Sequence, residues 1–261
     1  MPLRVQPQPR RLYKTNPLKL VICQIRHPVS PRFEEAGFIA PFQEVLGDHY
    51  PRVSQEQQVT INIPPGAPIT APSTTALWRF QDGEGLWSIV AARDFVSLET
   101  SAYRAFEEFE EQLEQVLEAI AQIGVTYRER LGVRYINEIH HPEAQTPTTW
   151  RPFINAELLG MVGGEVLGDD VIVALQDIRL REPDGVAVLR HGYVGPEASA
   201  DQEPFYLLDI DFADEQHGKL DRTQTLSQVN AFHERIKNVF ETSVTDALRD
   251  HLVIEEEFDV A

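Results

Sequence analysis

Glu138-Ile139-His140-His141-Pro142 repeats, in the same polar and apolar order, the stretch Gln24-Ile25-Arg26-His27-Pro28. Each closes a mostly apolar run of strand length, Val133 to Ile139 in one case and Leu18 to Ile25 in the other. Further matches follow in the same order. Pro41-Phe42 corresponds to Pro152-Phe153, Leu46-Gly47 to Leu159-Gly160, and Asp94-Phe95 to Asp211-Phe212, the last two each read as closing a strand. An ordered series of this kind points to a duplicated supersecondary unit.

The elements between the matches fill in the unit. Phe33 to Leu46 carries Phe38, Ile39, Phe42, Val45 and Leu46 at helical spacing, with Gly47 as a stop. Val59 to Ile63 alternates. A proline-rich loop, Pro64 to Pro72, leads to strands Leu77 to Phe80 and Trp87 to Phe95 around the turn Asp82-Gly83-Glu84-Gly85. A helix capped by Thr100 or Ser101 then places Phe106, Phe109, Leu113, Val116, Leu117 and Ile120 on one face, and Gly124 ends it. The second half predicts a short helix from Pro152 to Leu159 and strands Val171 to Leu180, Val186 to Tyr193 and Phe205 to Phe212. One long helix, Gln224 to Leu248, closes it.

The expected fold is therefore α+β: two β-α-β-β-β-α repeats, 17–125 and 126–250, forming a curved, mostly antiparallel sheet with helices on one face. Joining two units edge to edge removes one exposed edge from each. A basic, proline-rich tail (1–16) and an acidic tail (251–261) flank them. Arg4, Arg10, Arg11 and Lys14 lie in the first tail, which reads as a mobile arm; Glu255, Glu256, Glu257 and Asp259 surround Phe258 in the second. The architecture is similar to the duplicated saddle of TATA-binding-protein-like folds, an analogy of fold and not of function.

A net charge of −18 argues against nucleic acid, whose phosphates are held by lysine and arginine. No apolar stretch approaches the roughly 20 residues that a membrane span requires. A single cysteine, Cys23, sits in an apolar run and reads as a small buried hydrophobe; with no secretory signal recognised, a cytoplasmic setting is expected. No phosphate-cradling glycine loop, dinucleotide fingerprint or nucleophile elbow is present, and no cofactor is expected.

Five residues stand out as candidates for binding. Arg134, Tyr135 and Asn137 lie on one strand, with Tyr135 and Asn137 on the opposite face from Arg134. Arg134 and Asn137 are polar in an apolar run, so they either satisfy partners where the two halves meet or recognise an anion or peptide. Asp209 and Asp211 share a strand face. They read as the solvent side of an ordinary strand, or, with His217, as a pair able to hold a divalent metal. His140, His141 and Glu143 are adjacent at a strand end, a poor arrangement for zinc. His233 borders the apolar stripe of the last helix, and Trp78, Trp87 and Trp150 read as core or rim aromatics.

The segment Arg130-Leu131-Gly132-Val133-Arg134-Tyr135-Ile136-Asn137 resembles the signature of a sporadically distributed family of uncharacterised bacterial proteins. Pro17-Leu18, Leu98-Glu99-Thr100-Ser101-Ala102-Tyr103, and His233, Ile236 and Phe240 extend the resemblance over most of the chain, from Pro17 to Leu248. It implies a bacterial origin, a structural rather than catalytic motif, and a loose link to mobile or defence genes. The combined expectation is a non-catalytic protein- or peptide-binding module whose partner has a basic surface, with a homodimer as one form of assembly. A metal-dependent hydrolase or phosphate-handling enzyme using Asp209 and Asp211 is the alternative.

Overall fold

The computed structural model describes residues 5–60, 73–164, 166–183, 185–196 and 203–258. The expected loop Pro64 to Pro72, and Ile61 to Ile63 of the strand before it, lie outside these. In chain order the strands are β1 (Arg10–Tyr13), β2 (Leu18–Arg26), β3 (Arg52–Thr60), β4 (Ser73–Gln81), β5 (Trp87–Ala92), β6 (Phe95–Thr100), β7 (Tyr127–Arg128), β8 (Arg130–Ile139), β9 (Val173–Glu182), β10 (Gly185–Val194), β11 (Phe205–Asp214), β12 (Gly218–Lys219) and β13 (Ile254–Phe258). The α-helices are α1 (Ala36–Leu46), α2 (Phe106–Gln122), α3 (Ala156–Leu159), α4 (Arg222–Ser243) and α5 (Asp246–Leu252).

Nine strands form one antiparallel sheet in the order β3-β4-β5-β6-β2-β8-β11-β10-β9. The central seam joins β2 to β8, with Val21 opposite Tyr135 and Ile22 opposite Arg134. Period-two alternation sorts each strand. Val21, Cys23 and Ile25 of β2, Leu131, Val133, Tyr135 and Ile139 of β8, and Leu208, Ile210 and Phe212 of β11 are all buried on one face. The stripes of the helices cover that face. Phe109, Leu113, Val116 and Ile120 of α2 and Val229, Phe232, Ile236 and Val239 of α4 join the same core. Among the described residues no helix packs over the opposite face.

Several expectations change in detail. Trp87 to Phe95 is not one strand: Arg93 and Asp94 make a turn, and Phe95 opens β6. Asp94-Phe95 therefore does not close a strand, whereas Asp211-Phe212 lies inside β11. Thr100 does not cap α2. Its hydroxyl accepts from the Ala102 N–H, and the helix starts after Ala105 with no side-chain cap. The long last helix breaks at Val244, where Thr245 caps α5 and donates to Pro152 O at 2.6 Å.

The tails also differ from expectation. Residues 10–13 are ordered as β1, which pairs antiparallel with β13. Arg11 Nε lies 3.0 Å from Glu257, and the Arg10 guanidinium lies 5.2 Å from the centre of the Phe258 ring. Runs that look like solvated charge when read singly neutralise each other when paired. Glu241, only 2% exposed, anchors this ribbon to α4. It accepts from Arg11 Nη1 at 2.8 Å, Tyr13 Oη at 2.9 Å and Arg249 Nε at 3.0 Å.

Candidate functional site

The five candidate residues do not form one site. The sheet separates them: Arg134, Asp209 and Asp211 stand on the face without helices, while Tyr135 and Asn137 point beneath the helices.

On the uncovered face, Asp209 is the hub of an ion-pair ladder. Arg134 meets it with two parallel bonds, Nε to Oδ1 at 2.7 Å and Nη2 to Oδ2 at 2.6 Å. Arg190 from β10 adds a third at 3.2 Å and reaches on to Asp177 of β9 at 3.1 Å. These contacts follow from register, since Asp209 faces Ile136 on one side and Arg190 on the other. Asp209 was expected on the solvent side; it is on that face but only 2% exposed, under the two arginines. Asp211 lies 3.7 Å from Arg130, and burial raises its pKa above the ordinary carboxylate value against the pull of nearby arginines. Gly132 makes room for this pair, because a Cβ there would stand 2.6 Å from the Arg130 guanidinium.

A carboxylate whose oxygens are occupied by two guanidinium groups is poorly placed to ligate a cation. His217, the proposed third member, is exposed beyond β11. Among the described residues no group of three His, Cys, Asp or Glu side chains is placed to hold a metal.

The other half of the same face has its own ladder. Arg79 of β4 holds Glu56 of β3 at 3.0 Å and Glu99 of β6 at 3.3 Å, and Ser97 donates to Glu99 at 2.9 Å. These charges rim a depression of about 340 Å³ in which Leu77, Val90 and Phe95 supply the apolar lining. Between the two ladders, Leu20, Ile22 and Ile136 form a half-buried apolar strip along the central seam.

Beneath the helices, Tyr135 Oη donates to Tyr103 Oη at 3.0 Å and lies 3.0 Å from His233 Nδ1. Since Tyr135 gives its single proton to Tyr103, the histidine supplies the proton from Nδ1. His233 stacks on Phe106 with ring centres 4.3 Å apart. Burial, reinforced by Arg10 and Lys237, lowers its pKa to about 3, so it is neutral. Burial also raises the Tyr103 and Tyr135 phenols. Asn137 donates to Leu208 O at 2.9 Å, settling it as a strand-to-strand tie. A cavity of about 80 Å³ adjoins this chain, lined on one side by Arg10 to Tyr13 of β1. That is room for a few waters and well below the roughly 300 Å³ where small-molecule sites begin.

Sequence reasoning missed Arg79, Arg190, Glu56 and Glu99, because a charge on an outward strand position carries no sign of its cross-strand neighbour. It also missed the Tyr103–Tyr135–His233 chain, whose members come from three distant segments. The absence of a transmembrane segment agrees with the structure to this extent: no helix among the described residues is long and apolar enough to cross a membrane. The chain matches no known protein-family profile and no curated protein.

Proposed function

We propose that the chain is a non-catalytic binding module that holds a protein or peptide on the uncovered face of its sheet. The observation that carries this reading is a face with no helix over it among the described residues, bearing an apolar strip and a depression rimmed by charge. A depression of this size takes one or two apolar side chains of an extended or helical segment. Leu20, Ile22 and Ile136 offer further contact along the seam, and the arginine–carboxylate ladders fix orientation more than they add affinity. The surplus of negative charge sets the sign of the partner: a basic surface is drawn in and phosphate backbones are repelled. For the alternative of a metal-dependent hydrolase, Asp209 would have to give up the two arginines that meet its carboxylate.

The same reading takes the fold as a tandem pair of equivalent halves, 17–125 and 126–250. Omitting β3, the strand order β4-β5-β6-β2 is mirrored by β9-β10-β11-β8 about the central seam. Counting outward from the Val21–Tyr135 pair, His27 and His141 stand at the same distance along β2 and β8. Each is buried against a phenylalanine, Phe33 and Phe153 respectively. In this frame Glu99 takes the place of Asp209, each receiving an arginine from a strand of its own half. The motif from Arg130 to Asn137, through which the chain resembles a family of bacterial proteins, is then a seam motif with no catalytic part.

The test is selection of binders from a random peptide library, followed by NMR mapping. Selected peptides are expected to carry an apolar anchor beside basic residues and to shift the signals of Leu77, Val90, Ile22 and Ile136. Leu77→Glu should abolish binding without loss of fold. Peptides that map to the helical side, or a panel that yields no binder, would reject this function.

A further inference from the structure

Strand β9 is the outermost strand of the sheet, and among the described residues its backbone pairs with β10 alone. The Gly195 N–H donates to Ile172 O, so the even-numbered residues of this edge turn their amide groups toward β10. Val173, Leu175, Asp177, Arg179 and Arg181 therefore turn theirs outward. Proteins ordinarily blunt such an edge with proline, charge, a bulge or short length, and of these β9 has only charge, at Asp177, Arg179, Arg181 and Glu182. β9 has ten residues, contains neither proline nor lysine, and keeps an unbroken register against β10. It also exposes apolar surface where it begins: Ile172 is 71% exposed, Val173 53% and Leu175 52%. The edge strand at the other end of the sheet, β3, carries Ser54, Gln55, Glu56 and Gln57 along its middle, and among its described side chains no large apolar one is exposed.

We propose that β9 pairs antiparallel with β9 of a second copy, so that one continuous sheet crosses a homodimer. Charge selects both the occupant and the register. A two-fold axis perpendicular to the sheet requires facing residues to lie on the same face. Centred on Ile178, the pairing sets each Asp177 opposite the copy's Arg179, at positions whose amide groups both point outward. Leu175 then packs on the stem of the copy's Arg181. Centred on Asp177, the pairing opposes two carboxylates; centred on Arg179, it opposes two guanidinium groups. Of these three registers only the one centred on Ile178 avoids a like-charge pair, and it alone sets opposite charges face to face. Within one copy Asp177 already meets Arg179 and Arg190, each at 3.1 Å; with side chains 44% and 73% exposed, Asp177 and Arg179 exchange their contact along the strand for the same contact across the dimer. The helices of both copies stay on one side, and the two uncovered faces lie next to each other. This inference does not rest on the peptide-binding reading: the outward amide groups of β9 are present whatever the face holds, and Asp177 is the one member of the face's ladder that the pairing also uses.

Sedimentation equilibrium on the full chain tests it, with circular dichroism as the check on fold. The wild-type chain is expected to show a concentration-dependent dimer. Asp177→Arg and Arg179→Asp each turn two attractive cross-strand pairs repulsive and should weaken association by about tenfold or more. An equimolar mixture of these two variants should regain the dimer, because every introduced charge then faces its opposite. Leu175→Pro removes an outward N–H without disturbing the β10 side and should give a folded monomer. The proposal is overturned by a wild-type chain that stays monomeric at roughly millimolar concentration. It is equally overturned by charge variants that dimerise as tightly as wild type, by a mixture that does not recover, or by a Leu175→Pro protein that still dimerises.

Discussion

Replacing Glu241 by glutamine probes how the chain ends are held. The carboxylate is 2% exposed and sits between Arg11 and Arg249, each 14% exposed, with Tyr13 as a third donor. Removing one partner of a fully buried pair costs about 3–5 kcal/mol, because it strands the other charge. Here the loss is smaller. Arg11 keeps Glu257, and Arg249 keeps Asp246 and the carbonyls of Glu241 and Val244. About 2 kcal/mol is the expected destabilisation. With roughly 2.1 cal/mol/K of unfolding entropy per residue, that lowers Tm by about 4 °C. The loss should also be local. Hydrogen exchange should accelerate at the β1 and β13 amides while the central strands β2 and β8 keep their protection. Calorimetry and exchange by mass spectrometry read both effects. A variant within 1 °C or so of wild type, with β1 and β13 as protected as before, would refute the role given to Glu241.

Gly192 has a φ of +146°, and a Cβ there would lie 1.9 Å from Ala174 O, so Gly192→Ala must push β9 off β10; a loss of about 3 kcal/mol or more is expected in urea unfolding. Neutral His233 makes stability pH-dependent. Its pKa is about 3 in the folded state and near 6.5 unfolded, so the unfolded chain binds more protons in between, and stability falls as pH drops through that window. Burial lowers His27, His141 and His191 as well, which adds in the same direction. His233→Phe should flatten the fall between pH 6.5 and 4.5 in thermal scans, and a parallel profile would contradict the assignment. Val253, with φ of 59°, is a β-branched residue in left-handed backbone, held there by a bond from its own N–H to Arg249 O and one from the Lys14 N–H to its carbonyl. Val253→Gly is expected to raise the unfolding free energy by up to about 1 kcal/mol, read as a higher urea midpoint with an unchanged m-value.

What could be read from the sequence was what depends on neighbours along the chain. The stripe from Phe106 to Ile120 marks α2 because helix faces repeat locally, and Cys23 reads as a core residue because its neighbours in the chain are apolar. The turn at Arg93-Asp94 escaped notice since neither residue is a glycine or proline and apolar residues continue across it. The break at Val244 escaped for a related reason: Leu248 extends the stripe of α4, although Thr245 starts a new helix. Of the candidate site, Arg134 and Asn137 were legible as polar groups needing partners, and both have them. Which partners, and the pairing of β1 with β13, depend on contacts between residues far apart in the chain. Local pattern holds no record of those.

With Arg10 beside Phe258, the first ordered strand and the last lie next to each other in opposite directions. In a chain trimmed to residues 10–258, a short peptide linker could therefore weld these two strands into a ring, and a new opening could be cut at the Asp82–Gly85 turn. A circularly permuted chain of that design should fold to the same sheet. Trimmed to these strands, the chain can also be inserted into a surface loop of a host protein, leaving its uncovered face turned to whatever the host presents.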